Sequence, residues 1–202
     1  MPEDSDQTLL SSIAGGDDFA LRELMGRYKE KVFRFAYRWV RNEADAAEIA
    51  AETFVRVHRY SGRYQPKAKA STWIYTITSN LCRDFTRKAW RRQIFSLFSQ
   101  GARNDPKQGL SLEERIADDQ PTAGQTMVHQ ERAAEILALI DKLPTKLKAP
   151  FLLHVLEEHS QRECATILGI SEKAVETRIY RARKRLAEAL ADTDKSMPNT
   201  RS

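Results

Sequence analysis

The sequence predicts an all-α protein of two small helical domains joined by a flexible linker, and three observations carry that expectation. Apolar residues recur at intervals of three and four through most of the chain, the period of one helix face. Strand signals are absent: there are no alternating β-branched runs and no Asn-Gly hairpin, and only eight glycines punctuate 202 residues. Composition then changes over residues 95–124, where Gly101, Pro106, Gly109, Pro121 and Gly124 gather and Asp105 to Asp119 hold five acids against two bases. Such a stretch reads as a solvated tether. The domains are therefore expected at 5–94 and 125–190, with the linker at 95–124 and a polar tail from 191.

Taken in order, a first helix from Ser5 to Ala14 stops at Gly15-Gly16, and Asp17-Asp18 open a longer one. Its Leu21, Leu24, Tyr28, Val32, Phe35, Ala36 and Trp39 mark one apolar face. Asn42 can cap the third helix, with acids in its first turn where the macrodipole favours them. Ser61-Gly62 ends it. After a basic loop a fourth helix runs from about Ser71 to Arg92. The linker offers one short helix near Leu112–Ile116. Further helices are expected at 126–142, 145–158, 161–168 and 172–190, with Pro150 predicting a kink or late start in the second of these.

The net charge is +5, and its distribution says more than its total. Arg63 to Arg92 carries eight Lys/Arg against the single Asp84, whereas Asn42 to Thr53 carries four acids and no base. Two oppositely charged surfaces, adjacent in sequence, predict two different partners. The acidic, polar start is unlike a signal peptide and no apolar run approaches the ~20 residues of a membrane span, so a cytoplasmic protein is expected. Cys82 and Cys164 make neither a disulfide framework nor a metal knuckle. His154, His159 and Cys164 are spaced by five, which turns each away from the last on a helix; no metal or other cofactor is expected. Nor is there a glycine-rich phosphate loop or a carboxylate pair for enzymatic work.

The sharpest motif is Ser160-Gln161-Arg162-Glu163-Cys164-Ala165-Thr166-Ile167-Leu168-Gly169-Ile170-Ser171. Ser160 and Glu163 form a capping box, Gly169 supplies a left-handed turn, and Ser171 caps a second helix. That is helix-turn-helix syntax, with the second helix destined for the DNA major groove. Val175, Ile179, Ala182, Leu186 and Leu190 fall in its core-facing sector. Lys173, Thr177, Tyr180, Arg181 and Lys184 fall opposite, flanked by Glu176 and Arg178. Residues at the start of this helix are best placed to touch base edges, and the later Arg and Lys suit phosphates.

In the N-terminal half, Thr76, Asn80, Arg83, Asp84, Arg87 and Arg91 share one face of the fourth helix, a stripe able to take both phosphate and base contacts. Tyr64, beside Arg63 and Lys67, offers a ring for an unstacked base, worth roughly 1–3 kcal/mol per base; Trp73 is expected in the core. The third helix sets Ile49 and Phe54 among Asp45, Glu48 and Glu52, apolar anchors within a charged rim.

Three blocks then stop being anonymous. Asp45-Ala46-Ala47-Glu48-Ile49-Ala50-Ala51-Glu52-Thr53-Phe54-Val55-Arg56-Val57 resembles the polymerase-binding helix of extracytoplasmic-function (ECF) sigma factors, a branch of the sigma-70 family. Ala70 to Asp84 looks like that family's promoter-melting region. Leu143-Pro144, Phe151-Leu152-Leu153 and the helix-turn-helix through Leu186 are similar to its second DNA-binding domain. The resemblance implies a factor that binds core RNA polymerase, melts promoter DNA and starts transcription. Asp45, Glu48, Ile49, Glu52 and Phe54 would dock on a coiled coil of the polymerase's largest subunit. Tyr64, Lys69, Asn80, Arg83, Asp84, Arg87 and Lys88 would engage the edge and opened strand of the minus-ten element, with Lys67 and Thr76 beside them. Lys173, Glu176, Thr177, Arg178, Tyr180 and Arg181 would read the minus-thirty-five element, with Ser171 and Lys184 beside them. It also implies an inhibitory anti-sigma partner. Glu176 departs from the basic residue common at its position. The competing class, a ligand-sensing helix-turn-helix regulator, accounts for the second domain but not for an acidic helix followed by an Asn/Arg stripe.

Overall fold

A computed structural model describes residues 2–99 and 134–196, with side chains described for 5–91 and 134–193. Every regular element among the described residues is a helix. The first domain comprises α1 (Pro2–Ala14), α2 (Asp18–Val40), α3 (Glu43–Tyr60) and α4 (Ala70–Ser99), with a 3₁₀ turn at Ser61–Arg63. The second holds α5 over residues 134–141, α6 (Thr145–Phe151), α7 (Gln161–Leu168) and α8 (Glu172–Ser196). Residues 100–133, which hold most of the expected linker with its short helix at 112–116 and the expected start of the second domain at 125, lie outside the described residues.

Local chemistry sets the boundaries. Asp17 caps α2, its carboxylate accepting from the Phe19 and Ala20 N–H groups, and Asn42 accepts from Asp45 N to cap α3. Two helices outrun the sequence expectation. α4 continues through Ser99, past the boundary at 94, since no Gly or Pro interrupts before Gly101. α8 continues to Ser196, because the breaker Pro198 lies beyond. Pro150 is tolerated inside α6, and a wide π turn, Leu152–Leu156, follows it. Proline lacks the N–H that would close its own helical bond, and the widened turn absorbs the lost register while keeping Leu152 and Leu153 buried.

Two apolar clusters hold the helices together. Leu10, Leu24, Val32, Phe54, Val57 and Ile74 join α1 to α2, α3 and α4. Asp6 is buried at this junction and is paired, accepting from Arg27 Nη1 and Tyr28 OH, both at 2.5 Å. The larger cluster crosses between domains: Phe35, Trp39, Ile49, Tyr75 and Cys82 pack in one core with Ile140, Leu152, Leu153, Ile167 and Val175. The two domains are therefore docked on each other, a relation the sequence reading did not anticipate.

Candidate nucleic-acid interface

The outer face of α3 carries Glu48 and Ala51 exposed, with Asp45 and Glu52 half-buried. Glu52 accepts from Arg56 Nε at 2.8 Å. Ile49 and Phe54, expected as partner anchors, are core residues at 0% and 4% exposure. Their helical phase explains the correction: Ile49 lies in the sector of Ala46, Thr53 and Val57, all buried, and Phe54 at its edge. The apolar residue on the acidic side is Val55, 48% exposed and nearly opposite Ala46. It lines a groove with Glu48, Ala51 and Glu52 on α3 and Leu81, Asp84, Phe85 and Lys88 on α4. Plotting α3 at 100° per residue would have singled it out.

On α4 the polar stripe is continuous. Asn80, Arg83, Arg87 and Lys88 are exposed, and Thr76 and Asp84 half-buried. Arg87 donates to Asp84 at 2.9 Å, and Arg83 Nη1 donates to Asn80 Oδ1 at 2.9 Å. Thr76 spends its hydroxyl on the Thr72 carbonyl at 2.7 Å, a bond within the helix that leaves it little to offer a ligand. Trp90, 62% exposed, extends the stripe beyond Arg83 and Arg87; sequence reading missed it, although its spacing of seven from Arg83 was there to be counted. Lys67 is exposed in the loop before α4. Tyr64 is half-buried, its hydroxyl donating to the Ala68 carbonyl at 2.6 Å and its ring 5.5 Å from that of Trp73. Trp73 in turn packs against the α1–α4 cluster, as its place at the start of an amphipathic helix predicts.

The helix-turn-helix forms as its syntax predicts. Ser160 Oγ accepts from Glu163 N and Glu163 Oε2 accepts from Ser160 N, closing the capping box. Gly169 takes φ 66°, and Ser171 Oγ accepts from Ala174 N. Val175, Ile179, Ala182 and Leu186 are buried and Leu190 half-buried. Lys173, Glu176, Tyr180, Arg181 and Lys184 are exposed, while Thr177 and Arg178 are half-buried. Lys173 pairs with Glu176 at 2.9 Å, and Thr177 donates to the Lys173 carbonyl. The exposed surface of α8 is thus basic and carries one large aromatic ring, Tyr180, at 68% exposure.

The seam between domains draws on some of these same groups. Arg83 Nη2 donates to the Leu168 carbonyl at 3.3 Å, Ser79 Oγ to the Ile167 carbonyl at 3.1 Å, and Lys69 pairs with Glu163 at 3.4 Å. Elsewhere on the seam Arg41 and Arg38 meet Asp141, and Lys148 Nζ donates to the Arg38 carbonyl at 3.2 Å. Tyr75 OH donates to the Glu157 carboxylate, and the Tyr75 ring meets His159 edge-on at 4.9 Å. Burial shapes the ionisation here. It pushes the Tyr75 hydroxyl up, with Glu157 adding to the effect, and raises Glu157 itself. It lowers Lys148 and His159. Both thiols, Cys82 and Cys164, are pushed up to about 12 by burial. His154 Nδ1 and the Cys164 thiol both reach the His159 carbonyl, at 2.8 and 3.7 Å, which accounts for that spacing of five without a ligand.

The chain matches two family models in chain order. Sigma-70 region 2 covers residues 24–92, and Sigma-70, region 4 covers residues 133–186. It is 31% identical over 183 residues to the ECF RNA polymerase sigma factor SigW of Bacillus subtilis, spanning 91% of this chain and 95% of that one. It is also 31% identical to the RNA polymerase sigma factor CnrH of Cupriavidus metallidurans, over 96% and 97% of the two chains. The solved structure of CnrH in complex with the cytosolic domain of CnrY superposes with a TM-score of 0.64 at 25% identity, covering 94% and 99%. RpoE of Bartonella quintana, solved with the anti-sigma factor NepR, gives 0.63 at 16% identity over 84% and 96%, a likeness of fold alone. Two family models matched in order, one over the four-helix domain and one over the helix-turn-helix, and relatives alike over nearly their whole length place this chain in the sigma-70 family as an ECF sigma factor.

Proposed function

We propose that the chain binds core RNA polymerase through the outer face of α3 and delivers it to promoters, where α4 takes the opened strand and α8 reads duplex DNA. What supports this most directly is the division of labour between domains: an acidic helix with an exposed valine beside an Asn/Arg stripe in one, a capped helix-turn-helix with a basic outer face in the other. Glu48, Glu52 and Val55, with Asp45 at the margin, form the docking face, and Ile49 and Phe54 hold it in shape from beneath.

Tyr64, Lys67, Lys69, Asn80, Arg83, Asp84, Arg87 and Lys88 serve the minus-ten element. Extracting a base there costs a few kcal/mol, offset by backbone contacts and by binding to polymerase. On α8, Lys173, Glu176, Thr177, Arg178, Tyr180 and Arg181 face the minus-thirty-five element, with Lys184 on phosphate. An anti-sigma factor is the expected inhibitor; RpoE of Bartonella quintana was solved with one. The work is recognition and strand separation rather than covalent chemistry. Among the described residues no helix is long and apolar enough to cross a membrane.

The test is reconstituted transcription with core polymerase, followed by mapping of RNA 5′ ends. Initiation at discrete sites, dependent on this chain, is expected; no initiation on any template overturns the reading. Glu48→Lys with Glu52→Lys is expected to weaken polymerase binding at least about tenfold, near 1.4 kcal/mol, with the fold retained.

A further inference from the structure

A cavity of about 290 Å³ lies on the seam between the domains, walled by residues of α2, α4, α6, α7 and α8. Its apolar wall is Trp39, Ala149, Pro150, Leu168 and Ile170. Ala149 and Pro150 are short side chains beside the bulkier Trp39 and Leu168, which leaves room that larger α6 residues would fill. Three cations, Arg83, Lys146 and Arg178, complete the wall with Thr145, and no acid is among the lining residues. Lys146 and Arg178 have no hydrogen bond or ion pair with any described residue. Arg83 is exposed and donates to Asn80 and to the Leu168 carbonyl. Trp39 supplies a second observation. The residue is 8% exposed, and its indole Nε1 is buried without a hydrogen-bond partner. Buried donors are almost always paired, and this one belongs to a residue that walls a cavity rimmed with cations.

We propose that this cavity is a binding site for a small amphiphilic carboxylate, with an aromatic body against Trp39, Pro150 and Leu168 and its anionic group at Lys146 and Arg178. Each part of the wall selects for one property of that ligand. The apolar side chains draw a ring out of water in proportion to the apolar area it buries. Cations without acidic partners repel an ammonium and attract an anion, and Arg178 can hold a carboxylate through two parallel N–H donors. Size excludes larger anions. The volume falls at the lower end of the ~300–1,000 Å³ usual for small-molecule sites, room for one ring system but not for a nucleotide. Binding raises the stability of the folded chain by mass action. Arg83 and Arg178 also serve DNA under the proposed function, so competition between ligand and promoter rests on that reading, whereas binding itself does not.

Calorimetric titration of the full chain with naphthoate tests the assignment. Saturable one-to-one binding with a dissociation constant on the order of 100 μM is expected. Naphthylmethylammonium, alike in shape and opposite in charge, is expected to bind at least about tenfold more weakly. Acetate, which shares the charge without the ring, is expected not to displace naphthoate at about tenfold molar excess. Lys146→Glu and, separately, Thr145→Trp change exposed wall positions. Each is expected to weaken naphthoate binding at least about tenfold with the circular dichroism unchanged, while Lys146→Arg retains it. In nitrogen–proton correlation spectra the Trp39 indole resonance should move on saturation, and those of Trp73 and Trp90 should stay. Ammonium binding as tight as naphthoate, displacement by acetate, full affinity in both Lys146→Glu and Thr145→Trp, or an unmoved Trp39 resonance overturns the proposal. None of these measurements involves polymerase or DNA, so a failure of the initiation reading is told apart from a failure of the ligand site.

Discussion

Single side chains divide cleanly into those that build surfaces and those that present them. Ile49 is sealed in the core and Val55 stands out of it on the same helix. Ile49→Ala is expected to cost about 2–5 kcal/mol of stability, read from urea denaturation, because it leaves a cavity. Val55→Ser is expected to shift stability by less than about 0.5 kcal/mol and to weaken polymerase binding instead. If Ile49→Ala left stability intact while abolishing polymerase binding, the original anchor assignment would stand after all. On α8, Arg181→Ala is expected to cost about 1–3 kcal/mol at a matched promoter when bound as holoenzyme. An equal loss on every sequence would make it a phosphate contact.

Helices and turns were the most legible level in the sequence, and the reason is that their signals are local. Asp17, Asn42, Ser160, Gly169 and Ser171 each act on neighbours within four residues, and each cap is formed where its residue type predicts. The 100° phase that buried Val175 and Ile179 while exposing Arg181 was equally readable. Val55 and Trp90 escaped because a lone apolar residue on a polar face adds nothing to the periodicity that marks a core. Illegible, by contrast, were Lys148, Asp141 and Glu157, charges whose partners lie roughly a hundred residues away in the other domain.

The loop before α7 is also where acid should act. Burial holds His159 below its ordinary 6.5 despite the pull of Glu163 at 3.9 Å, while Lys69 pushes it further down. Its Nε2 is buried without a partner, and the Tyr75 ring covers it edge-on. The folded chain therefore takes up this proton less readily than the unfolded one. Its stabilising contribution is whole above about pH 6.5 and is lost as pH falls toward the depressed value. Glu157, raised by burial, works in the opposite sense, contributing below its ordinary carboxylate range and losing that as pH rises through the raised value. The difference between the native sequence and His159→Phe isolates the first effect: the drop in melting temperature between about pH 7.5 and 5.5 should be smaller in the variant. Identical drops would show that His159 does not titrate on unfolding.

At the scale of the whole molecule, the second hydrophobic cluster belongs to neither domain alone. Phe35, Trp39 and Tyr75 lie in it with Leu152, Ile167 and Val175, so breaking one domain exposes apolar surface on the other. Scanning calorimetry of the full chain should accordingly show one cooperative transition, and Asp141→Arg should split or broaden it. Two separate transitions in the native sequence would mean that the halves unfold independently. The prediction of two helical domains was correct as an inventory of elements. The manner of their docking was beyond it, because a seam depends on which surfaces meet and not on any local pattern.

Both sulfhydryl groups of the sequence are shut away, Cys82 and Cys164 alike at 0% exposure with deprotonation pushed up to about 12. Peroxide and electrophiles attack the thiolate, and at neutral pH almost none exists at either position. The folded polypeptide is therefore chemically deaf to oxidants through its cysteines. At these two positions an oxidant can act only after the core has opened.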